Sequence, residues 1–271
     1  MKNLLKADSF YLRKSRLTLI ALILAVAFPI LTALLYWGLS VLTERENILF
    51  SANNMISSVF SLTSDLGLVL PVFAGVFVCQ DFSNGTLRNK VIAGNRRSAI
   101  YLSHLLVSMA FLLAVIAIYA VVTTALALLF FPFKWDSSRD LGLEITYFVS
   151  YGLTSFVFIA TVSTMFAMIL RRSAPTIILT IVFSIVLAMV NSILMAVDYE
   201  SFQHVVYFIP TFGGNFFSLN SLNSLSILRF LNGSADASRS LIFAEGMLSY
   251  LFFGALHTLI GLFVFKKRDI K

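Results

Sequence analysis

Residues 98–131, SAIYLSHLLVSMAFLLAVIAIYAVVTTALALLFF, form an unbroken apolar run without a single Asp, Glu, Lys or Arg. About 20 apolar residues in a helix cross about 30 Å of hydrocarbon. This run exceeds one span, so its helix should tilt or project beyond the bilayer. Working outward, five further runs qualify, roughly 17–42, 55–78, 144–170, 174–197 and 241–265. None alternates like a strand, which leaves no support for a β-barrel. The expected fold class is therefore all-α integral membrane, with six transmembrane helices in a single domain.

Composition agrees. Of 271 residues, 59% are hydrophobic and 12% charged, and the mean hydropathy is +0.91. A soluble domain keeps about 25% of its residues charged. That difference excludes a soluble globular protein, a disordered chain and a nucleic-acid binder. The net charge of +7 does not reverse this, because the basic residues lie between apolar runs. Cys79 has no partner cysteine in the chain, and no CxxC spacing offers a metal or redox site. Ala25-Val26-Ala27 has the form of a signal-peptidase site, but the apolar run continues to Leu42 and Pro29 follows closely. A retained first helix is expected.

Orientation follows from Lys and Arg in the loops. One side carries Lys2, Lys6, Arg13, Lys14, Arg16, Arg88, Lys90, Arg96, Arg97, Arg171, Arg172, Lys266, Lys267, Arg268 and Lys271. The other holds only Arg45, Lys134, Arg139, Arg229 and Arg239, together with acids such as Glu44, Asp136, Glu200 and Asp236. Both termini are expected in the cytoplasm. The connection between spans four and five is minimal, Arg171-Arg172-Ser173, with Ser173 a suitable N-cap and Pro175 tolerated in the first turn. The segment 198–240 is long, external and apolar. No internal repeat suggests an inverted-repeat transporter.

Residues 1–16 read as an interfacial helix. Lys2, Lys6, Ser9 and Arg13 share one stripe, and Leu4, Leu5, Tyr11 and Leu12 another. Such a helix lies in the headgroup plane, lysines toward water and anionic lipid. The loop between spans two and three reads CQDFSNGTLRNKVIAGNRR over residues 79–97. Ser83 or Asn84 can cap a short helix there, and Gly94 can end it in the left-handed conformation. Leu87 and Val91, four residues apart, should form an apolar ridge with Ile92 beside it and a basic flank. A soluble partner could receive such a ridge.

An acidic residue, then Gly85-Thr86-Leu87-Arg88, then Gly94-Asn95-Arg96-Arg97 before a span, resembles the ABC-2 type permeases of bacterial ABC transporters. The interfacial helix, six spans, cytoplasmic termini and long external segment resemble that family too. The resemblance implies that the loop helix is a coupling helix, docked in a groove of an ATP-binding cassette subunit. Asp81, Gly85, Thr86, Leu87, Arg88, Gly94 and Arg97 would then carry the contact, with Val91 completing the apolar ridge. Phe208-Ile209-Pro210 resembles the element that opens the family's external re-entrant segment. It also implies a bacterial plasma membrane, and a second copy or paralogue of this chain as partner.

No glycine is followed by Lys-Ser or Lys-Thr, so no P-loop is present. ATP and Mg would be bound by the partner, with no cofactor on this chain. In the external segment, Phe212 and Gly213-Gly214 permit a sharp reversal, and the irregular backbone should be re-entrant or interfacial. With Phe208 and Pro210 they are candidates for an outer gate. Asn232-Gly233-Ser234 matches a glycosylation sequon and reads as a turn.

Asp65 is the intramembrane acid to weigh, since such groups are functional by default. It stands about 24 Å from Asp81 along a helix, where a carboxylate can reach the interface. Glu245 reads as an interfacial acid near a helix start, and His104 and His257 as packed polar residues. Thr161, Ser163 and Thr164 should bond backbone or neighbouring helices. The chain lacks GxSG, HExxH and paired span acids, so an intramembrane enzyme is not expected. The function expected is a permease subunit exporting an amphipathic peptide, antibiotic or lipid-like molecule. A non-transporting sensor or assembly partner of an ATPase or kinase is the alternative.

Overall fold

A computed structural model describes residues 2–43, 51–60, 65–133, 140–196, 210 and 235–267. The elements are α1 (Lys2–Lys14), α2 (Arg16–Thr43), α3 (Ala52–Ser57), a 3-10 turn (Ser58–Phe60), α4 (Asp65–Ser83), α5 (Thr86–Ile92), α6 (Arg97–Phe130), α7 (Leu141–Leu170), α8 (Ser173–Ala196) and α9 (Ala235–Lys267). No strand occurs among the described residues. Five of these, α2, α6, α7, α8 and α9, are long and apolar enough to cross a membrane. The chain is a helical, multi-pass membrane protein.

Hydropathy alone misplaces the second apolar run. Residues 55–78 were expected to be one helix, but 52–60 form α3 and the 3-10 turn, and a new helix starts at Asp65. Polar residues bound α3: Ser51 caps its start by accepting from the Asn54 N–H, and at its end the Ser58 hydroxyl donates back to the Met55 carbonyl. The α3 helix buries Ala52, Met55 and Ile56 in a small cluster with Ala33, Ala127, Phe131 and Phe148. The long helix here thus lies further toward the C-terminus than expected. The α4 helix has 19 residues, which gives about 28 Å, and its described apolar stretch is Val69–Ser83.

The α6 helix has 34 residues, which extends it to about 51 Å, well beyond one bilayer core. Its first turns therefore belong to the end of the molecule that carries α1 and α5. The α7 helix is central, packing on α4, α6, α8 and α9. Close approach along α9 uses a glycine stripe. A Cβ on Gly246 would press on the Tyr151 ring, one on Gly254 would meet Thr161, and one on Gly261 would collide with the Tyr101 hydroxyl. Small residues of this kind let helices pack where lipid offers no hydrophobic gain.

The start of α9 differs from expectation. Residues 235–240, expected in the external segment, are helical. Glu245 consequently lies about 15 Å into the helix rather than in its first turn. Apolar side chains are exposed along α2 and α8, among them Leu19, Ile23, Leu34, Ile178, Val182 and Met189. Ser173 is the first residue of α8 and not its N-cap as expected, since the Arg172 carbonyl already accepts from the Thr176 N–H; Pro175 stands in the first turn as expected. The Arg171 backbone closes α7 at φ 59, an uncommon conformation for a residue with a side chain.

Candidate functional site

One end of the molecule gathers α1, the C-termini of α4, α7 and α9, α5, and the start of α6. The gathering begins at Ser15, a single residue between two helices. Its hydroxyl accepts from the Leu17 N–H at 3.2 Å and so caps α2. The Thr18 hydroxyl donates to the Leu12 carbonyl, fixing the angle of α1. Leu4, Asp8 and Leu12 then fall on one stripe, four residues apart, and all three are buried. The apolar stripe of α1 therefore packs on protein.

Asp8 is 2% exposed and Asp81, at the end of α4, is 3% exposed. Lys90 of α5 binds both. Its Nζ donates to Asp8 Oδ1 at 2.6 Å and, at shorter range, to Asp81 Oδ2. Two consecutive residues of α6 complete the cluster. The Ser103 hydroxyl donates to Asp8 Oδ2 at 2.6 Å, and His104 Nε2 lies 3.1 Å from Asp81 Oδ2 and 3.3 Å from Lys90 Nζ. The His104 ring meets Phe77 edge-on with centroids 5.9 Å apart, and Phe77 also touches Tyr11 of α1. Four helices are thus joined through one ammonium.

Electrostatics fit this geometry. The buried Asp81 carboxylate meets the Lys90 ammonium and His104 Nε2, so its partners come from two other helices. The carboxylate oxygens of Asp8 and Asp81 and a His104 nitrogen lie within 4.8 Å of one another, a donor set that would also suit a cation. The Lys90 ammonium holds that place. What the arrangement does is mechanical: α5 cannot move without drawing on carboxylates from α1 and α4.

The turn into α5 is built from backbone and loop contacts. Gly85 is its N-cap at φ 69, and the Thr86 hydroxyl donates to the Asp81 carbonyl at 3.2 Å. Neither Ser83 nor Asn84 caps the helix as expected. Ser83 bonds back to the Gln80 carbonyl, and the Asn84 amide donates to the Tyr11 hydroxyl at 3.0 Å. At the far end, Gly94 takes φ 81, its N–H bonds the Val91 carbonyl, and the Asn95 N–H bonds the Lys90 carbonyl. These two bonds form a Schellman motif and bear out the left-handed ending.

The apolar ridge points the other way. Leu87 is 1% exposed within the main core, and Val91 packs against that core half-buried. The reason is the anchoring just described, which turns the Leu87/Val91 edge inward. The outward face comprises Arg88, Asn89, Ile92 and Ala93, with Gly94 exposed beyond it. Ile92 stands out at 73% exposure. Arg97 donates from Nη1 to the Lys266 carbonyl at 2.9 Å and so caps the end of α9. Arg171 of the short α7–α8 connection lies over the Phe82 ring at 5.8 Å.

The other sequence candidates separate from this cluster. Asp65 is the first residue of α4, and its side chain lies outside the described residues. Phe208, Phe212, Gly213 and Gly214 also lie outside them, while Pro210 is buried in a turn. His257 is a packed residue, with Nδ1 2.6 Å from the Phe253 carbonyl and its ring against Phe158 and Phe183. The Thr161 hydroxyl donates to the Phe158 carbonyl, whereas the buried hydroxyls of Ser163 and Thr164 have no partner among the described residues. Sequence reasoning missed Asp8, Lys90 and Ser103, and it read His104 as merely packed. One signal was available for Asp8: it is the only acid before Glu44, and it sits on the stripe between Leu4 and Leu12.

These features define a helical membrane protein whose one end is an interlocked polar assembly presenting a short, exposed helix. Residues 22–271 match the family described as Protein of unknown function (DUF2705), and the chain belongs to that family. No curated protein matches it.

Proposed function

We propose that this chain is the transmembrane permease subunit of an ATP-driven ABC transporter, with six spans and α5 as the element that a separate ATP-binding subunit grips. The observation that carries the reading is the pairing of a firmly anchored helix with an exposed apolar tip. Leu87 and Lys90 fix α5 to the bundle, while Ile92 and Arg88 project from it. A tip of this kind suits an apolar pocket with an acidic rim. Closure of the ATP-binding partner would then push on α4 and α6, the helices on either side of α5. α4 would be the sixth span, and the termini would share the cytoplasmic side of a bacterial plasma membrane with α5. A second copy or paralogue of this chain would complete the transporter, and the cargo class that suits so apolar a chain is an amphipathic peptide, antibiotic or lipid-like molecule.

The test is purification of the tagged protein from its native membrane in mild detergent, with mass spectrometry of what accompanies it. A stoichiometric P-loop ATPase with the wild type, lost in Ile92→Asp, is the expected result. Absence of any ATPase overturns the reading and favours a non-transporting sensor or assembly partner.

A further inference from the structure

The two faces of α1 carry opposite chemistry. The inner face buries Leu4, Asp8 and Leu12, while Lys2, Lys6, Phe10, Arg13 and Lys14 are exposed on the outer face. Phe10 is 60% exposed, and the Lys14 ammonium lies 4.7 Å from the centre of its ring. The same pairing recurs at the end of α9, where Lys267 lies 4.2 Å over the exposed Phe263 ring. Aromatic rings with a basic head at hand are suited to the boundary between headgroups and hydrocarbon. Just beyond the Ser15 break, α2 begins to expose apolar side chains at Leu19 and Ile20. The exposed basic face of α1 thus directly precedes the exposed apolar start of α2.

We propose that α1 binds the anionic phospholipid headgroups of its own bilayer through this outer face, and that Lys90 relays its attachment to α5. The basic side chains supply charge complementarity to phosphate, and Phe10 supplies the apolar insertion. The relay follows from the inner face. Asp8 moves with α1, and Lys90, which it binds, belongs to α5. Lipid that holds α1 in place therefore keeps the second carboxylate on Lys90 and stiffens α5. Nothing in this requires an ATPase, so it stands or falls separately from the permease reading.

The experiment uses the full chain in nanodiscs of phosphatidylcholine alone, or with about one-third phosphatidylglycerol, read by hydrogen exchange. In the anionic discs, amides of residues 2–14 should exchange about tenfold more slowly, and those of residues 86–92 should slow with them. High salt should erase the difference by screening. Joint replacement Lys2→Gln, Lys6→Gln, Arg13→Gln and Lys14→Gln should erase it too, with exchange in α7 unchanged as a check on folding. Lys90→Met should leave the lipid response of residues 2–14 and abolish that of residues 86–92. Equal exchange of residues 2–14 in both discs, or slowing that survives high salt, would overturn the headgroup site. An unchanged α5 response in Lys90→Met would overturn the relay.

Discussion

Lys90 is the residue on which the end of the bundle turns. Its ammonium faces two buried carboxylates from different helices, and removing one member of such a set leaves uncompensated charge. Lys90→Met should therefore destabilise the protein by about 3 kcal/mol, the lower part of the usual range because the lysine side chain is 16% exposed. A fall in the thermal midpoint in detergent measures it. None of this cluster was legible from spacing, because Asp8, Asp81, Lys90 and His104 come from four helices that only tertiary packing brings together. Asp81 is marked only by the family resemblance, and Asp8 by its place as an acid on a buried apolar stripe.

Helix by helix, hydropathy located the long apolar helices well, because an unbroken apolar run leaves no polar residue to interrupt the helix. It failed where polar residues interrupt a run, as between α3 and α4, and where a segment's last turns are polar yet helical, as at the start of α9. The direction of α5 was also illegible. A short amphipathic helix has an apolar edge whichever way it turns, and Gly85, Thr86 and the Asn84–Tyr11 bond decide which way that is. Leu87→Ala should cost about 2–5 kcal/mol, as for other buried leucines. Ile92→Asp should stay within about 0.5 kcal/mol, so it separates partner binding from folding where Leu87 variants cannot. Along α9, Gly261→Ala should destabilise by about 1–3 kcal/mol through overpacking against Tyr101. Thermal unfolding of the three variants side by side distinguishes these classes.

At the scale of the whole molecule, α1, α5 and the end of α9 are tied into one end by Asp8–Lys90 and Arg97–Lys266 contacts. Cysteines placed at Lys2 and Lys267 should therefore react with an impermeant maleimide from the same side of sealed vesicles. The native Cys79 is buried and should stay silent. Labelling from opposite sides would contradict the architecture. The central claim is narrower: the exposed tip of α5 is gripped by an ATP-binding subunit. The most direct measurement is a photoreactive side chain at position 92 in native membranes, compared with the same group at position 178 on the exposed flank of α8. The account predicts that position 92 captures a P-loop ATPase and position 178 does not. Capture of no ATPase from position 92, or equal capture from both, would contradict it.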